Sequence, residues 1–330
     1  MRNAMKYVIV GSGNISNTYL RAVEHIEGST IVGCISRRGR TPQAAGDLPC
    51  WPDLSAVDRD YDAVIVATPN GLHHQSAIQA AEAGKHVLVE KPLEITLSAA
   101  DRMIASAEAA GVVLAVAYQR RTRPDNMALK ALLESGALGK RYSVDVSCRF
   151  WRDQAYYDSA DYRGGYAIDG GGVFIQQGAH HIDNYLWLFG MPVSVTSELA
   201  TFAHQMEAED HGAAIFRHAD GMIGTFVAST CARPGFSARL EFSCEKGSFT
   251  VTDDRITQWY IDGIDNPSEG LPETRSEGAH SAVVTDTFGH QAILRDFANA
   301  VVSGAAPLCS GRDARRATEL VLQIYKRRVE

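Results

Sequence analysis

Lys6-Tyr7-Val8-Ile9-Val10-Gly11-Ser12-Gly13-Asn14-Ile15-Ser16 is the stretch that decides the fold. An almost wholly apolar run of strand length enters a glycine turn directly, and a helix-like pattern follows to about position 26. The same alternation continues outward. Apolar runs at 30–35, 63–67, 86–89 and 112–117 read as strands. Between them lie an alanine-rich helix that stops at Gly84 and a helix over about 96–110 that stops at Gly111. Strands apolar on both faces belong to a parallel sheet covered on both sides by helices. The pattern predicts a doubly wound α/β domain, the Rossmann arrangement. Ligands of such sheets bind beyond the carboxyl ends of the strands, where the turns 11–16, 68–71 and 90–92 fall.

Gly11-x-Gly13-x-x-Ser16 nearly matches the dinucleotide fingerprint, with Ser16 in place of the third small residue. The first glycine makes the tight turn, and the second lets a pyrophosphate approach the helix N-terminus. Gly11, Ser12, Gly13, Asn14 and Ile15 are therefore the expected phosphate loop. An NAD site usually carries Asp or Glu at the end of the second strand. Here Ser36 stands there, followed by Arg37 and Arg38, with Arg40 two on. A hydroxyl beside guanidinium groups suits a 2′-phosphate, so NADP is expected, with NAD possible; a solvated basic loop is the plain alternative.

Glu90-Lys91-Pro92 closes a strand at the ligand edge. A lysine in such a cleft can donate a hydrogen bond or move a proton. Downstream, Asp169-Gly170-Gly171-Gly172 precedes a pattern in which Ile175, Ile182, Leu186 and Phe189 recur at helical spacing from about 174. Gln176, His180 and Asp183 then share another face. Histidine titrates near neutrality, as a proton carrier for alcohol–carbonyl exchange should. A buried histidine satisfied by a carbonyl remains the alternative.

From about 122 the pattern changes. A helix is expected over 126–136. Tyr142 to Phe150 alternates, with Val144, Val146, Cys148 and Phe150 on one face. Similar runs near 193–202, 212–218, 222–230, 238–244, 248–252 and 255–261 predict an antiparallel sheet, with Asp220-Gly221 as a hairpin turn. Positions 262–286 read as a long loop. Ser310-Gly311-Arg312-Asp313 starts a final helix, about 311–328, with Ala317, Leu320, Val321 and Ile324 as its apolar stripe. Two domains follow, 1–121 and 122–330, the second α+β with a large, mostly antiparallel sheet. Trp151 to Arg163 mixes aromatic and charged residues, which suits a sugar as well as an ordinary packed loop.

The net charge of −7 over 330 residues argues against nucleic acid and anionic lipid as partners. No apolar run approaches the roughly 20 residues of a membrane helix, and no signal peptide is seen. Six cysteines without a Cys-x-x-Cys pair are expected to be reduced, in the cytoplasm. His73-His74 and His180-His181 lack a third ligand at a recognisable spacing, so no metal is expected.

The chain resembles the glucose-fructose oxidoreductase / inositol dehydrogenase / rhizopine catabolism family, Gfo/Idh/MocA. The matching pieces are Gly11 to Ile15, Asp62 to Asn70 with His73, Ala83 to Pro92, Tyr118 to Arg121, and Gly170-Gly171-Gly172 to His180 and Asp183. The resemblance spans roughly 5–330. It implies a hydride transfer between NAD(P) and a secondary alcohol or carbonyl of a sugar or cyclitol. Lys91 would contact substrate and nicotinamide, with Pro92 after a cis bond, and His180 would carry the proton. Gln176 and Asp183 would hold the geometry. Thr68, Pro69, Asn70, His73, Glu90 and Gln119 would line the dinucleotide. Arg121, Trp151, Tyr157, Arg163 and His181 would contact substrate. The open face of the second sheet would build a homodimer or homotetramer. One departure stands out: many such dehydrogenases carry Asp four residues before the histidine, where this chain has Gln176, which cannot carry a proton. A cofactor-binding metabolite sensor, or a glycosidase working by transient oxidation and elimination, are the rival expectations.

Overall fold

A computed structural model describes residues 4–271 and 287–325. They form two compact units, 4–119 with 287–318, and 120–271 with 319–325. The first crossing lies between residues 119 and 120. The chain returns to the first unit over 287–318.

The first unit begins with β1 (Lys6–Val10), α1 (Asn14–Val23), β2 (Thr30–Ile35) and a short β3 (Cys50–Trp51). Next come β4 (Ala63–Val66), α2 (His73–Glu82), β5 (His86–Val89), α3 (Leu97–Ala110) and β6 (Leu114–Val116). The six strands are parallel, in the order β3-β2-β1-β4-β5-β6. This is the dinucleotide-binding order, and the chain reverses direction of winding between β1 and β4. Tyr7, Ile9, Ile65 and Leu88 point to one face and Val8, Val10, Val64, Val66, Val87 and Val89 to the other, all buried.

The second unit contains α4 (Pro124–Glu134), β7 (Arg141–Arg149), α5 (Gln154–Asp158), α6 (Ala179–Phe189) and six further strands. These are β8 (Ser194–Ala200), β9 (His211–Arg217), β10 (Ile223–Ser229), β11 (Arg239–Cys244), β12 (Gly247–Thr252) and β13 (Arg255–Ile261). The sheet order is β13-β12-β11-β7-β10-β9-β8, antiparallel except for β7 with β10. One face is buried, with Val144, Val146, Phe216, Phe226 and Phe242 on it, and α6 meets it where Tyr185 lies 5.1 Å from Phe216 and Phe189 stacks on Phe242 at 5.4 Å. The other face leaves Ile215, Ile223 and Tyr260 exposed. The expected hairpin forms: Gly221, at φ +87°, donates to the His218 carbonyl and His218 N–H donates to Met222.

Two helices close the described chain, α7 (Phe288–Ser303) and α8 (Gly311–Ile324). Helix α7 was not anticipated. Its Ile293, Leu294, Phe297 and Ala298 join Tyr7, Ile9, Tyr19 and Leu20 in the core on the α1 side of the parallel sheet. The capping box of α8 is formed: Ser310 Oγ donates to Asp313 Oδ2 at 2.6 Å, and Asp313 N–H donates back to Ser310 Oγ at 3.2 Å. The expected stripe of α8 is buried, and the stretch past Tyr325 lies outside the described residues, as does most of the loop expected at 262–286.

Two expectations are corrected. Helix α4 starts at Pro124, whose missing N–H costs nothing at a first helical position. Helix α6 starts at Ala179 instead of about 174, with turns before it. Those turns are pinned by the buried Glu209 carboxyl, which accepts the N–H groups of Gly172 and Phe174, both at 3.1 Å. Gln176 therefore precedes the helix that carries His180 and Asp183.

Candidate active site

The glycine loop leaves β1 at the switch point. Gly11 has φ +120°, and a Cβ there would stand 2.3 Å from the Ala67 carbonyl oxygen at the end of β4. Only glycine permits that approach. Gly13 caps α1 without any side-chain hydrogen bond, and a Cβ built on it meets nothing within 4 Å. Ser16, buried, donates its hydroxyl to the Gly11 carbonyl at 3.0 Å and locks the turn. The loop thus offers an open, positively polarised helix start to an anion. Ser12 and Ile15 are half-buried and Asn14 is exposed.

At the end of β2, Ser36 Oγ accepts the Arg40 N–H at 3.2 Å, and Arg37 and Arg38 are exposed beside it. Asn17 on α1 ties the following loop down by accepting the Ala44 N–H at 2.7 Å.

Beyond β4, the Thr68 Oγ1 is buried with no hydrogen-bond partner among the described residues. A buried hydroxyl left so is a candidate for a ligand's hydrogen bond. Pro69 and Asn70 are half-buried next to it. His73 opens α2. Its ring is fully buried; Nε2 faces the Thr68 carbonyl and Nδ1 the Pro92 carbonyl, both at 2.9 Å. Burial, chiefly, holds its pKa below the ordinary value. It joins the Thr68 and Pro92 turns.

Lys91 stands half-buried beyond β5 and is joined to Pro92 by a cis peptide bond. Glu90 is also turned inward. Its Oε1 accepts the Tyr19 hydroxyl at 2.7 Å and its Oε2 the Lys91 N–H at 3.1 Å. His290 Nε2 lies 3.6 Å from Oε1. Burial pushes this carboxyl up, yet His290, Tyr19 and the Lys91 charge more than offset it and leave the pKa below the usual value. Tyr19 and His290 were not singled out from the sequence; the polar-tipped aromatic on the apolar face of α1 was the available signal. Gln119 is half-buried in a short 3₁₀ turn after β6.

In the second unit, Arg121 and Asp183 hold each other in a buried two-point ion pair, Nε to Oδ2 at 2.8 Å and Nη2 to Oδ1 at 2.6 Å. Its guanidinium anchors α6. His180 and Asp183 lie one turn apart on that helix. His181 packs its ring on Phe150 at 5.8 Å, and burial holds its pKa well below the ordinary value. Gln176 donates its amide to the Asp169 carbonyl at 2.9 Å and so braces the glycine turn. The glycines serve packing: a Cβ on Gly172 would stand 1.7 Å from the Glu209 carbonyl oxygen, and one on Gly171 would stand 2.5 Å from the Tyr325 hydroxyl.

Tyr157 is buried with its hydroxyl 2.7 Å from Thr230 Oγ1. Arg163 lies over the Tyr156 ring at 4.6 Å and donates to the Tyr156 hydroxyl at 2.9 Å. Trp151 is half-buried, with Arg233 over its ring at 5.8 Å.

One group among the described residues, His204, Asp210 and Cys231, brings three metal-type ligands within 4.8 Å. Its donors are spent. His204 Nδ1 faces Asp210 Oδ2 and Nε2 faces the Arg152 carbonyl, both at 2.9 Å. Asp210 also accepts the N–H groups of Phe202, Ala203 and His204. Burial, chiefly, pushes the Cys231 thiol up to about 11. The cluster closes a loop. All six cysteines are free.

A parallel sheet wound in this order, with a glycine turn at its switch point and a lysine beyond its fifth strand, defines a nicotinamide-type oxidoreductase fold. Residues 5–118 match the oxidoreductase family with an NAD-binding Rossmann fold, and residues 126–250 match the GFO/IDH/MocA C-terminal domain. The chain belongs to the Gfo/Idh/MocA family. It is 33% identical over 219 residues to the uncharacterized oxidoreductase YdgJ of Escherichia coli, covering 60% of this chain and 58% of that one. It is 32% identical over 177 residues to the NADP-dependent scyllo-inositol 2-dehydrogenase IolW of Bacillus subtilis, covering 52% and 48%. These two matches thus span about half the length of the relatives. The WlbA dehydrogenase of Bordetella pertussis, solved with NADH and UDP-GlcNAcA, superposes with a TM-score of 0.86 at 28% identity, over 98% of this chain and 95% of that one.

Proposed function

We propose that this chain oxidises a secondary alcohol, or reduces the matching carbonyl, on a sugar, sugar derivative or cyclitol, with NADP as the preferred nicotinamide. The observation that carries the reading is the carboxyl edge of the parallel sheet, where an open Gly13 turn, the unpartnered Thr68 hydroxyl and Lys91 occur at the ends of β1, β4 and β5. When bound, the nicotinamide accepts or supplies the hydride. Gly11 to Ile15 hold the pyrophosphate, and Thr68, Pro69, Asn70 and Gln119 border the rest of the dinucleotide. Lys91 donates a hydrogen bond to the substrate oxygen, and His180 takes up or returns the hydroxyl proton. Asp183, locked by Arg121, fixes the helix from which His180 projects. Trp151, Arg163 and His181 supply substrate contacts.

Ser36, Arg37 and Arg38 stand where an NAD enzyme has an acid, and guanidinium groups there suit a 2′-phosphate. The NADP(+) specificity of one relative supports the same choice. The half-apolar open face of the seven-stranded sheet suits pairing with a second copy. No helix among the described residues is long and apolar enough to cross a membrane, and six free thiols suit a reducing compartment such as the cytoplasm. The test is turnover of scyllo-inositol and of a nucleotide-linked uronic sugar with NADP+, comparing wild type with Lys91→Ala. The reading requires turnover that the variant loses; equal turnover in both would overturn it.

A further inference from the structure

Three elements of the first unit meet at the Glu90 carboxylate. Tyr19 comes from α1, the helix that starts at the glycine loop; its hydroxyl donates to Oε1 at 2.7 Å. His290 comes from α7, its Nε2 3.6 Å from the same oxygen and its ring edge-on to Tyr19 at 5.1 Å. The second oxygen, Oε2, accepts the Lys91 N–H at 3.1 Å. All three side chains are buried: Tyr19 is 0%, His290 2% and Glu90 7% exposed. From α2, the fully buried His73 ties Pro92 to Thr68. The Lys91 side chain completes the set of charges around Glu90.

A carboxylate with one oxygen held by a neighbouring helix has little freedom to rotate. Its other oxygen is then a fixed acceptor, and the N–H bonded to it is fixed in turn. We propose that Tyr19 and His290 are positioning residues for Lys91: they clamp the Glu90 carboxylate, which holds the Lys91 backbone N–H and so sets where the lysine stands. The proposal rests on Lys91 being the group that serves the substrate. Its chemical sense is that a reacting group must be held to within a fraction of an ångström, and that remote supports set this precision. It also joins the start of α1, where a pyrophosphate would sit, to the lysine turn through one side chain.

The test is amide hydrogen exchange of the full chain, in wild type, Tyr19→Phe and His290→Gln. The Lys91 N–H reads the clamp. The Glu90 N–H, bonded to the Val66 carbonyl at 2.9 Å, and the Val87 N–H, bonded to Val113 at 2.8 Å, read the sheet beside it. The expected result is Lys91 exchange about tenfold faster in either variant, with Glu90 and Val87 unchanged. In parallel, kcat for scyllo-inositol oxidation falls about tenfold while NADPH affinity, read by fluorescence, stays within about twofold. Acceleration of all three amides together would show a merely structural role, and no change at Lys91 would show no clamp; either overturns the proposal. Tyr19→Phe keeps every ring carbon and tests the clamp even where His290→Gln fails to fold. If Lys91→Ala retains turnover, the assignment of Lys91 fails, whatever the exchange data say about the clamp.

Discussion

Arg121 Nε and Nη2 meet the two oxygens of Asp183 at 2.8 and 2.6 Å, in a pair that solvent scarcely reaches. Arg121 leaves the short turn after the first unit, and Asp183 lies on α6 one turn beyond His180. The pair therefore fixes the helix that carries the proposed proton carrier.

Removing one partner leaves a buried charge without compensation, which costs about 3–5 kcal/mol. Asp183→Asn is predicted to lower stability by that order in urea unfolding. Arg121→Leu should do the same. The double variant should lose less than the sum, because the first change already removes the interaction. Additive losses would show that the pair is not a unit.

Two glycines of one loop should behave oppositely. Gly11→Ala forces a Cβ to 2.3 Å from the Ala67 oxygen at φ +120°, so stability should fall by roughly 1–3 kcal/mol. Gly13→Ala meets open space and should fold normally, yet weaken NADPH binding by filling the approach to the helix start. Thermal unfolding and fluorescence titration of both variants separate the two effects.

Much of this was legible in advance, for a physical reason. Strands buried on both faces announce themselves by unbroken apolar runs, and the glycine turn follows β1 directly in the sequence. What the sequence does not show is the pairing of residues distant along the chain. Glu90, Arg121 and Tyr157 bond to Tyr19, Asp183 and Thr230, 71, 62 and 73 residues away, and no local pattern names those partners. The stretch 172–178 carries apolar residues at helical spacing, but the Glu209 carboxyl takes its N–H groups and delays the helix to Ala179. Helix α7 was missed although its Ile293, Leu294, Phe297 and Ala298 repeat on one face.

Histidines set the pH response. Burial depresses the pKa of His73 and, more strongly, His181. A histidine kept neutral in the fold binds its proton only in the unfolded chain. Its contribution is present above the unfolded value of roughly 6.5 and is lost as pH falls below it. Urea midpoints should therefore drop between pH 7.5 and pH 5.5, and His181→Gln should flatten that slope. A slope unchanged in the variant would mean that His181 takes up its proton in the fold as readily as in the unfolded chain.

Lys91→Ala should lower kcat by roughly 10²- to 10⁴-fold while NADPH affinity changes little, as expected for a group acting on the reacting oxygen. Steady-state rates beside fluorescence titration decide this, and equal losses in rate and in cofactor affinity would place Lys91 in binding alone.

The most direct measurement is a paired fluorescence titration of the purified protein, freed of copurified cofactor, with NADPH and NADH. The account predicts saturable binding of both, with NADPH the tighter and the preference lost in an Arg37→Ala, Arg38→Ala double variant. Binding of neither nucleotide would contradict the assignment of the glycine loop and with it the proposed dehydrogenase.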